Sequence, residues 1–196
     1  MSDNFEDKPH DRRSMFLLGL KKIIEPLAGL IEQRFNIPLP ILRTVLRPPG
    51  ALTEKEFRDT CYRCGNCVDV CPAKAIRPMS GGNVELTGTP YIDPDLAACV
   101  VCDELACMRA CPSGALKLVD SATLIRMGLA QVRHDVCVRS HGQECRICID
   151  KCPFGTDAID LGENGQIVVK TSGCVGCGVC QFYCPTNPKA VVVEFY

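Results

Sequence analysis

Between residues 14 and 35 the apolar residues Phe16, Leu20, Ile23, Ile24, Leu27, Leu30 and Ile31 return at helical spacing, with Lys21, Glu25, Gly29 and Glu32 on the opposite side. The pattern predicts an amphipathic helix that opens at Ser14, closes at Phe35 and kinks at Pro26, where a backbone donor is missing. Residues 1–13 ahead of it are polar. Behind it, Pro38, Pro40, Pro48 and Pro49 mark an extended linker. Thr53, with Glu56 three residues later, reads as a capping box opening a short helix.

Beyond residue 51 the apolar runs shorten. Four times a Cys-Pro pair is followed by a small and then an apolar residue: Ala75-Ile76, Ala115-Leu116, Ala158-Ile159 and Ala190-Val191. Each such pair is expected to cover a site and open an outgoing strand. Asn164-Gly165, between apolar residues 158–161 and 167–169, signals a hairpin turn. Gly81-Gly82 before residues 84–87 suggests a looser counterpart. The pattern is α+β, with two modules in tandem over 51–120 and 129–196, joined around residues 122–127. Residues 1–50 form the polar start, the helix and the linker.

The chemistry lies in the cysteines. All 16 of them, in a chain of 196 residues, fall into four groups of four, and every group ends in Cys-Pro. Cys61, Cys64, Cys67 and Cys71, like Cys174, Cys177, Cys180 and Cys184, are spaced C-x2-C-x2-C-x3-C-P. Cys99, Cys102, Cys107 and Cys111 are spaced C-x2-C-x4-C-x3-C-P, and Cys137, Cys145, Cys148 and Cys152 are spaced C-x7-C-x2-C-x3-C-P. Three thiolates on one tight loop reach three corners of a cubic [4Fe-4S] cluster. The fourth, beyond them and capped by proline, reaches a neighbouring cluster, as in two-cluster ferredoxins. Four [4Fe-4S] clusters are therefore expected, in tandem dicluster ferredoxin-like modules. A disulfide framework would not repeat a ligand spacing, and zinc sites separate their cysteine pairs more widely.

Spacing leaves the partnership of the groups open. Adjacent pairing assigns Cys61, Cys64, Cys67 with Cys111, and Cys99, Cys102, Cys107 with Cys71. In the second module it assigns Cys137, Cys145, Cys148 with Cys184, and Cys174, Cys177, Cys180 with Cys152. Nested pairing would join the first group to the fourth and the second to the third. The gaps of 26 residues from Cys111 to Cys137, 28 from Cys71 to Cys99 and 22 from Cys152 to Cys174 are too alike to choose.

Size and charge narrow the function. Each module spans a length at which an apolar core alone is marginal, so the clusters would act as staples. The net charge is −1, with seven Lys and Arg against three acids over 11–50 and 14 against 17 over 51–196. No basic patch suits a nucleic acid, and no apolar run is long enough to span a membrane.

The runs Leu46-Arg47-Pro48-Pro49-Gly50-Ala51-Leu52, Gly88-Thr89-Pro90-Tyr91 and Met127-Gly128-Leu129-Ala130, with the seven-residue gap between Cys137 and Cys145, together resemble the MauM/NapG-type ferredoxins. The resemblance covers residues 46–196. It implies four [4Fe-4S] clusters and electron transfer between a quinol-oxidising membrane protein and a downstream oxidoreductase. It also implies a twin-arginine export signal, whose beginning is present at Arg12-Arg13-Ser14-Met15-Phe16-Leu17. Lys21, Lys22 and Glu25 interrupt the apolar stretch that should follow, and no small-x-small cleavage site appears. The expectation is a cytoplasmic protein whose retained helix docks on the rest of its own chain, on a partner or on the inner membrane surface. Periplasmic export through a degenerate signal is the alternative.

Other features read as ordinary. The glycines of Gly173-Cys174-Val175-Gly176-Cys177-Gly178 alternate with ligands rather than form a nucleotide loop, and are expected to let the backbone approach a cluster. His141 reads as a solvent-facing loop histidine, and His10 and His134 make no stronger case. With no nucleophile motif, paired carboxylates or flavin fingerprint, the expectation is an electron carrier without a substrate site. The competing classes are an iron–sulfur sensor or maturation factor, and the permanent electron-transfer subunit of a larger oxidoreductase.

Overall fold

Short apolar runs give short elements. The computed structural model describes residues 45–81 and 84–195. The expected amphipathic helix over 14–35, its Pro26 kink and the earlier part of the linker lie outside the described residues. Helices are α1 (Glu54–Thr60), α2 (Asn66–Asp69), α3 (Ala106–Arg109), α4 (Ile147–Asp150) and α5 (Val179–Tyr183). Strands are β1 (Ile76–Pro78), β2 (Pro90–Ile92), β3 (Gly128–Val132), β4 (Ile159–Leu161), β5 (Ile167–Val169) and β6 (Val191–Phe195). Among the described residues no helix is long and apolar enough to cross a membrane.

Three antiparallel pairs organise these pieces. Ile76 of β1 faces Ile92 of β2, Ile159 of β4 faces Val169 of β5, and β3 runs beside β6 from Gly128↔Phe195 to Val132↔Val191. The first half carries a reduced version of the β3–β6 pair. Ala51 bridges Leu116, the Leu52 N–H donates to the Ala115 carbonyl at 3.1 Å, and the Lys117 N–H donates to the Gly50 carbonyl at 2.8 Å. Each half thus closes its first segment on its last around an inner hairpin. Glycine stands at the same crossing in both: a Cβ on Gly50 would overlap the Lys117 carbonyl, and one on Gly128 would overlap the Glu194 carbonyl.

Two hairpin signals meet different outcomes. The Asn164-Gly165 turn forms, with the Gly162 N–H donating to Gln166 O at 2.8 Å and Gly165 at φ +74°, the left-handed residue of a three-residue hairpin loop. In the first half the returning strand is Pro90–Ile92 rather than residues 84–87, which form turns. Burial explains the difference: Val84 is 87% exposed, whereas Ile92 is 2% exposed and packs in the core.

All eight residues of the repeated small–apolar pairs are buried, and Ile76, Ile159 and Val191 open β1, β4 and β6. Residues 46–48, placed in the linker from sequence, instead belong to the core. Leu46 accepts from the Ile92 N–H at 2.8 Å, and the Arg47 side chain is fully buried. Arg47 fits there because each of its three side-chain nitrogens has a hydrogen-bond partner. Nε and Nη2 donate to Glu54, and Nη1 donates to Thr89 Oγ1 at 2.9 Å and to Pro90 O at 2.8 Å. Its guanidinium also lies over the Phe57 ring, 4.8 Å from the centroid. Two stretches that carry the family resemblance, one around Arg47 and one around Thr89-Pro90, therefore meet in space. Thr53 does precede α1, but its hydroxyl donates to Glu56 Oε2 at 2.8 Å rather than capping a backbone N–H.

The halves meet through their cysteine loops, and contacts gather the described residues into one unit. The Cys99 N–H donates to the Cys177 carbonyl at 3.0 Å, and the Met127 N–H donates to Val175 O at 3.0 Å. Gln181 bridges the two: its Nε2 donates to Asp95 Oδ1 at 2.9 Å, while its Oε1 accepts from the Val193 N–H at 2.8 Å.

Candidate metal centre

The same local device recurs in each cysteine group. The third cysteine, Cys67, Cys107, Cys148 or Cys180, sits on the short helix α2, α3, α4 or α5, and the fourth follows four residues later, past or at the helix end. Three of these helices start from a left-handed residue, Gly65, Leu105 and Gly178, which turns the loop sharply into the helix.

Four cavities result, each lined by one quartet. Cys61, Cys64, Cys67 and Cys111 line the first. Cys71, Cys99, Cys102 and Cys107 line the second. Cys137, Cys145, Cys148 and Cys184 line another, and Cys152, Cys174, Cys177 and Cys180 the last. Three cysteines of one group thus meet the fourth of its neighbour within the same half. Cys184 lies with Cys137, and not with Cys61 as nesting would require. Each cavity is also lined by the small–apolar pair that follows its fourth cysteine: Ala115-Leu116, Ala75-Ile76, Ala190-Val191 and Ala158-Ile159.

Solvent access differs among the cavities. The Cys61 cavity is open, with a volume near 250 Å³, and the Cys99, Cys137 and Cys174 cavities are each near 20 Å³. Cys64 is exposed, whereas Cys174, Cys177 and Cys180 are all buried.

Burial and mutual repulsion govern the thiols. Burial, then the charges of Cys61, Cys111 and Cys64, push Cys67 up to about 11. Burial pushes Cys107 up to about 12, with Cys102, Cys67 and Cys71 adding to it. Cys99 is pushed up to about 12 by burial, against a backbone hydrogen bond from Val101, and Cys177 is pushed up to about 12 by burial with Cys99 among its neighbours. Burial raises Cys180 well above the usual thiol range, and Cys148 contributes. Short links set the cavities in series, in the order Cys61 site, Cys99 site, Cys174 site and Cys137 site. Cys71 of the second follows Cys67 of the first by four positions, the Cys99 N–H donates to the Cys177 carbonyl between the second and third, and Cys152 of the third follows Cys148 of the last by four positions.

Two fourth cysteines depart from the trend. Burial acts to raise Cys111 and Cys184, yet hydrogen bonds from the hydroxyls of Ser113 and Thr186 and from nearby backbone N–H groups outweigh it and hold both below the ordinary thiol value. Sequence reading passed over both hydroxyls. The signal available was a hydroxyl residue immediately after Cys-Pro in two groups out of four.

The donor set fits an iron–sulfur cluster. Four thiols gathered in one apolar cavity repel one another once ionised, so holding them as thiolates requires positive charge between them. Every quartet takes three cysteines from one group and the last from its neighbour. That exchange suits the cluster pairs of two-cluster ferredoxins better than zinc sites built from separate cysteine pairs.

The glycines of the last loop stand close against other parts of the chain. A Cβ on Gly176 would overlap the backbone of Gly128, and those on Gly173 and Gly178 would meet Asp157 and Pro94. They admit close approach of other chain segments. His141 is exposed and lies 2.8 Å from the Asp135 carbonyl.

Comparison with known proteins agrees with this geometry. Residues 60–115 match the model of a 4Fe-4S dicluster domain. The chain is 38% identical to the methylamine utilization ferredoxin-type protein MauM of Methylobacillus flagellatus, over 95% of this chain and 84% of that protein. It is 40% identical to MauM of Methylophilus methylotrophus over 76% of this chain and 70% of that one. Against the ferredoxin-type protein NapG of Escherichia coli the identity is 34%, over 76% and 69%.

Proposed function

The chain belongs to the family of MauM and NapG ferredoxin-type electron-transfer proteins, and from that premise we propose that it relays single electrons through four [4Fe-4S] clusters, turning over no substrate of its own. The observation that carries this reading is the set of four cavities, each lined by three cysteines of one group and the last cysteine of its neighbour. A bound [4Fe-4S] cluster supplies a one-electron couple whose potential depends on charge, hydrogen bonds and exposure.

The protein's own residues do the rest. Cys61, Cys64, Cys67 and Cys111 hold one cluster, and Cys99, Cys102, Cys107 and Cys71 the second. Cys137, Cys145, Cys148 and Cys184 hold the third, and Cys174, Cys177, Cys180 and Cys152 the fourth. The small–apolar pairs exclude water from each site, and the Cys99–Cys177 hydrogen bond fixes the spacing between the halves. The open Cys61 site, with exposed Cys64 at its mouth, is where a redox partner docks. The partners are a quinol-oxidising membrane protein and a downstream oxidoreductase. The interruption of the apolar stretch after Arg12-Arg13 by Lys21, Lys22 and Glu25 supports a location in the cytoplasm, in solution or on the inner membrane surface.

Iron and sulfide analysis of anaerobically purified protein tests the reading, with about sixteen of each expected per chain at four per cluster. Electron paramagnetic resonance during a redox titration should show several interacting spin systems. Stoichiometric zinc with negligible iron would end the proposal.

A further inference from the structure

In the series of four sites, the two at the ends share something the inner two lack. The fourth cysteine of the Cys61 site, Cys111, has its Sγ 3.5 Å from Ser113 Oγ, and that of the Cys137 site, Cys184, has its Sγ 3.2 Å from Thr186 Oγ1. At the corresponding position after Cys71-Pro72 and Cys152-Pro153 stand Ala73 and Phe154, whose side chains have no donor.

The surroundings fix the direction of these hydrogen bonds. A thiolate bound to iron has no proton, so only the hydroxyl can donate. Each hydroxyl oxygen already accepts from the backbone: Ser113 Oγ from the Ala115 N–H at 3.3 Å, and Thr186 Oγ1 from the Ala190 N–H at 2.8 Å. A relay N–H to O–H to sulfur follows, in which the first bond polarises the second. At Cys111 the Leu116 N–H adds a further donor at 3.4 Å.

We propose that Ser113 and Thr186 set reduction potentials: each hydroxyl raises the potential of its own end site and tilts the resting place of an electron toward the ends of the series. The physical reason is that reduction adds one negative charge to the site, and a donor aimed at a ligand sulfur stabilises the more negative state. The inference rests on the four-cluster reading and concerns side chains that hold no iron themselves.

Full-length protein prepared anaerobically as Ser113→Ala, Thr186→Val and Thr186→Ser tests it by resonance-monitored redox titration, after iron has been quantified in each. Ser113→Ala and Thr186→Val should each lower a single midpoint, by up to about tenfold in the reduction equilibrium, or about 59 mV for one electron. Thr186→Ser should restore the wild-type value. Ala73→Ser, which places a hydroxyl beside an inner site, should raise one midpoint. Midpoints that stay fixed, or that all move together, with iron at the wild-type level would overturn the inference alone. Should Ser113→Ala lose iron, the Thr186→Val and Thr186→Ser pair decides. Wild-type protein without an iron–sulfur signal would overturn the four-cluster reading and this inference with it.

Discussion

Arg47 grips Glu54 from a wholly buried position, its Nε and Nη2 donating to the two carboxylate oxygens at 3.0 and 2.6 Å. A paired charge inside the core costs desolvation that only complete hydrogen bonding offsets, and removal of one partner strands the other. Arg47→Met should therefore destabilise the protein by about 3–5 kcal/mol, read as a drop in the denaturation midpoint of iron-loaded protein. The double variant Arg47→Met with Glu54→Leu should recover much of that loss. Equal stability of the single variant and wild type would show that the pair contributes nothing.

The same buried arginine decides where the first module begins. A fragment of residues 45–120 keeps Leu46, Arg47 and the whole Cys61 and Cys99 quartets, and should bind about eight irons on anaerobic reconstitution. A fragment of residues 51–120 has the same cysteines but leaves Glu54 without Arg47, and should reconstitute poorly. Equal iron in both fragments would remove residues 45–50 from the module.

Gly176 lies back to back with Gly128 at a φ of +73°. Gly176→Ala adds both a left-handed strain of about 1–2 kcal/mol and an overpacking cost of about 1–3 kcal/mol. The backbone between Cys174 and Cys177 must then shift, so the Cys174 site should lose iron before the others. Unchanged iron content and unchanged thermal stability would contradict this.

Arg12 and Arg13 give a test of localisation. A retained helix predicts that cell fractionation finds the full-length chain in the cytoplasm or on the inner membrane face, and that Arg12→Lys with Arg13→Lys leaves its location unchanged. A shortened periplasmic form that disappears in the double variant would instead establish export.

The four cysteine groups and the eight buried residues behind them were legible because cysteine spacing and the small–apolar repeat are local patterns. So was the hairpin at Asn164-Gly165, whose turn chemistry lies within its own loop. Arg47 was not legible: a charged residue beside two prolines reads as solvated linker, and its partners Thr89 and Pro90 stand 42 and 43 residues away. The grouping of the quartets was hidden for a similar reason, since gaps of similar length can close in either order and only the loop contacts distinguish them. Ser113 and Thr186 escaped notice because a hydroxyl residue after Cys-Pro is unremarkable until its distance to sulfur is known.

The matched glycines, Gly50 against Lys117 and Gly128 against Glu194, make each half a control for the other. A change made at one crossing can be repeated at its twin, under the same buffer, temperature and purification, within one polypeptide. Where both halves respond alike, the requirement comes from closing the first segment of a module on its last. Where only one responds, it comes from what that half alone possesses: the Arg47–Glu54 pair in the first, or the seven residues between Cys137 and Cys145 in the second. Duplication thus turns a single chain into a paired comparison, in which divergence between the copies separates what the architecture demands from what each end of the molecule has been given to do.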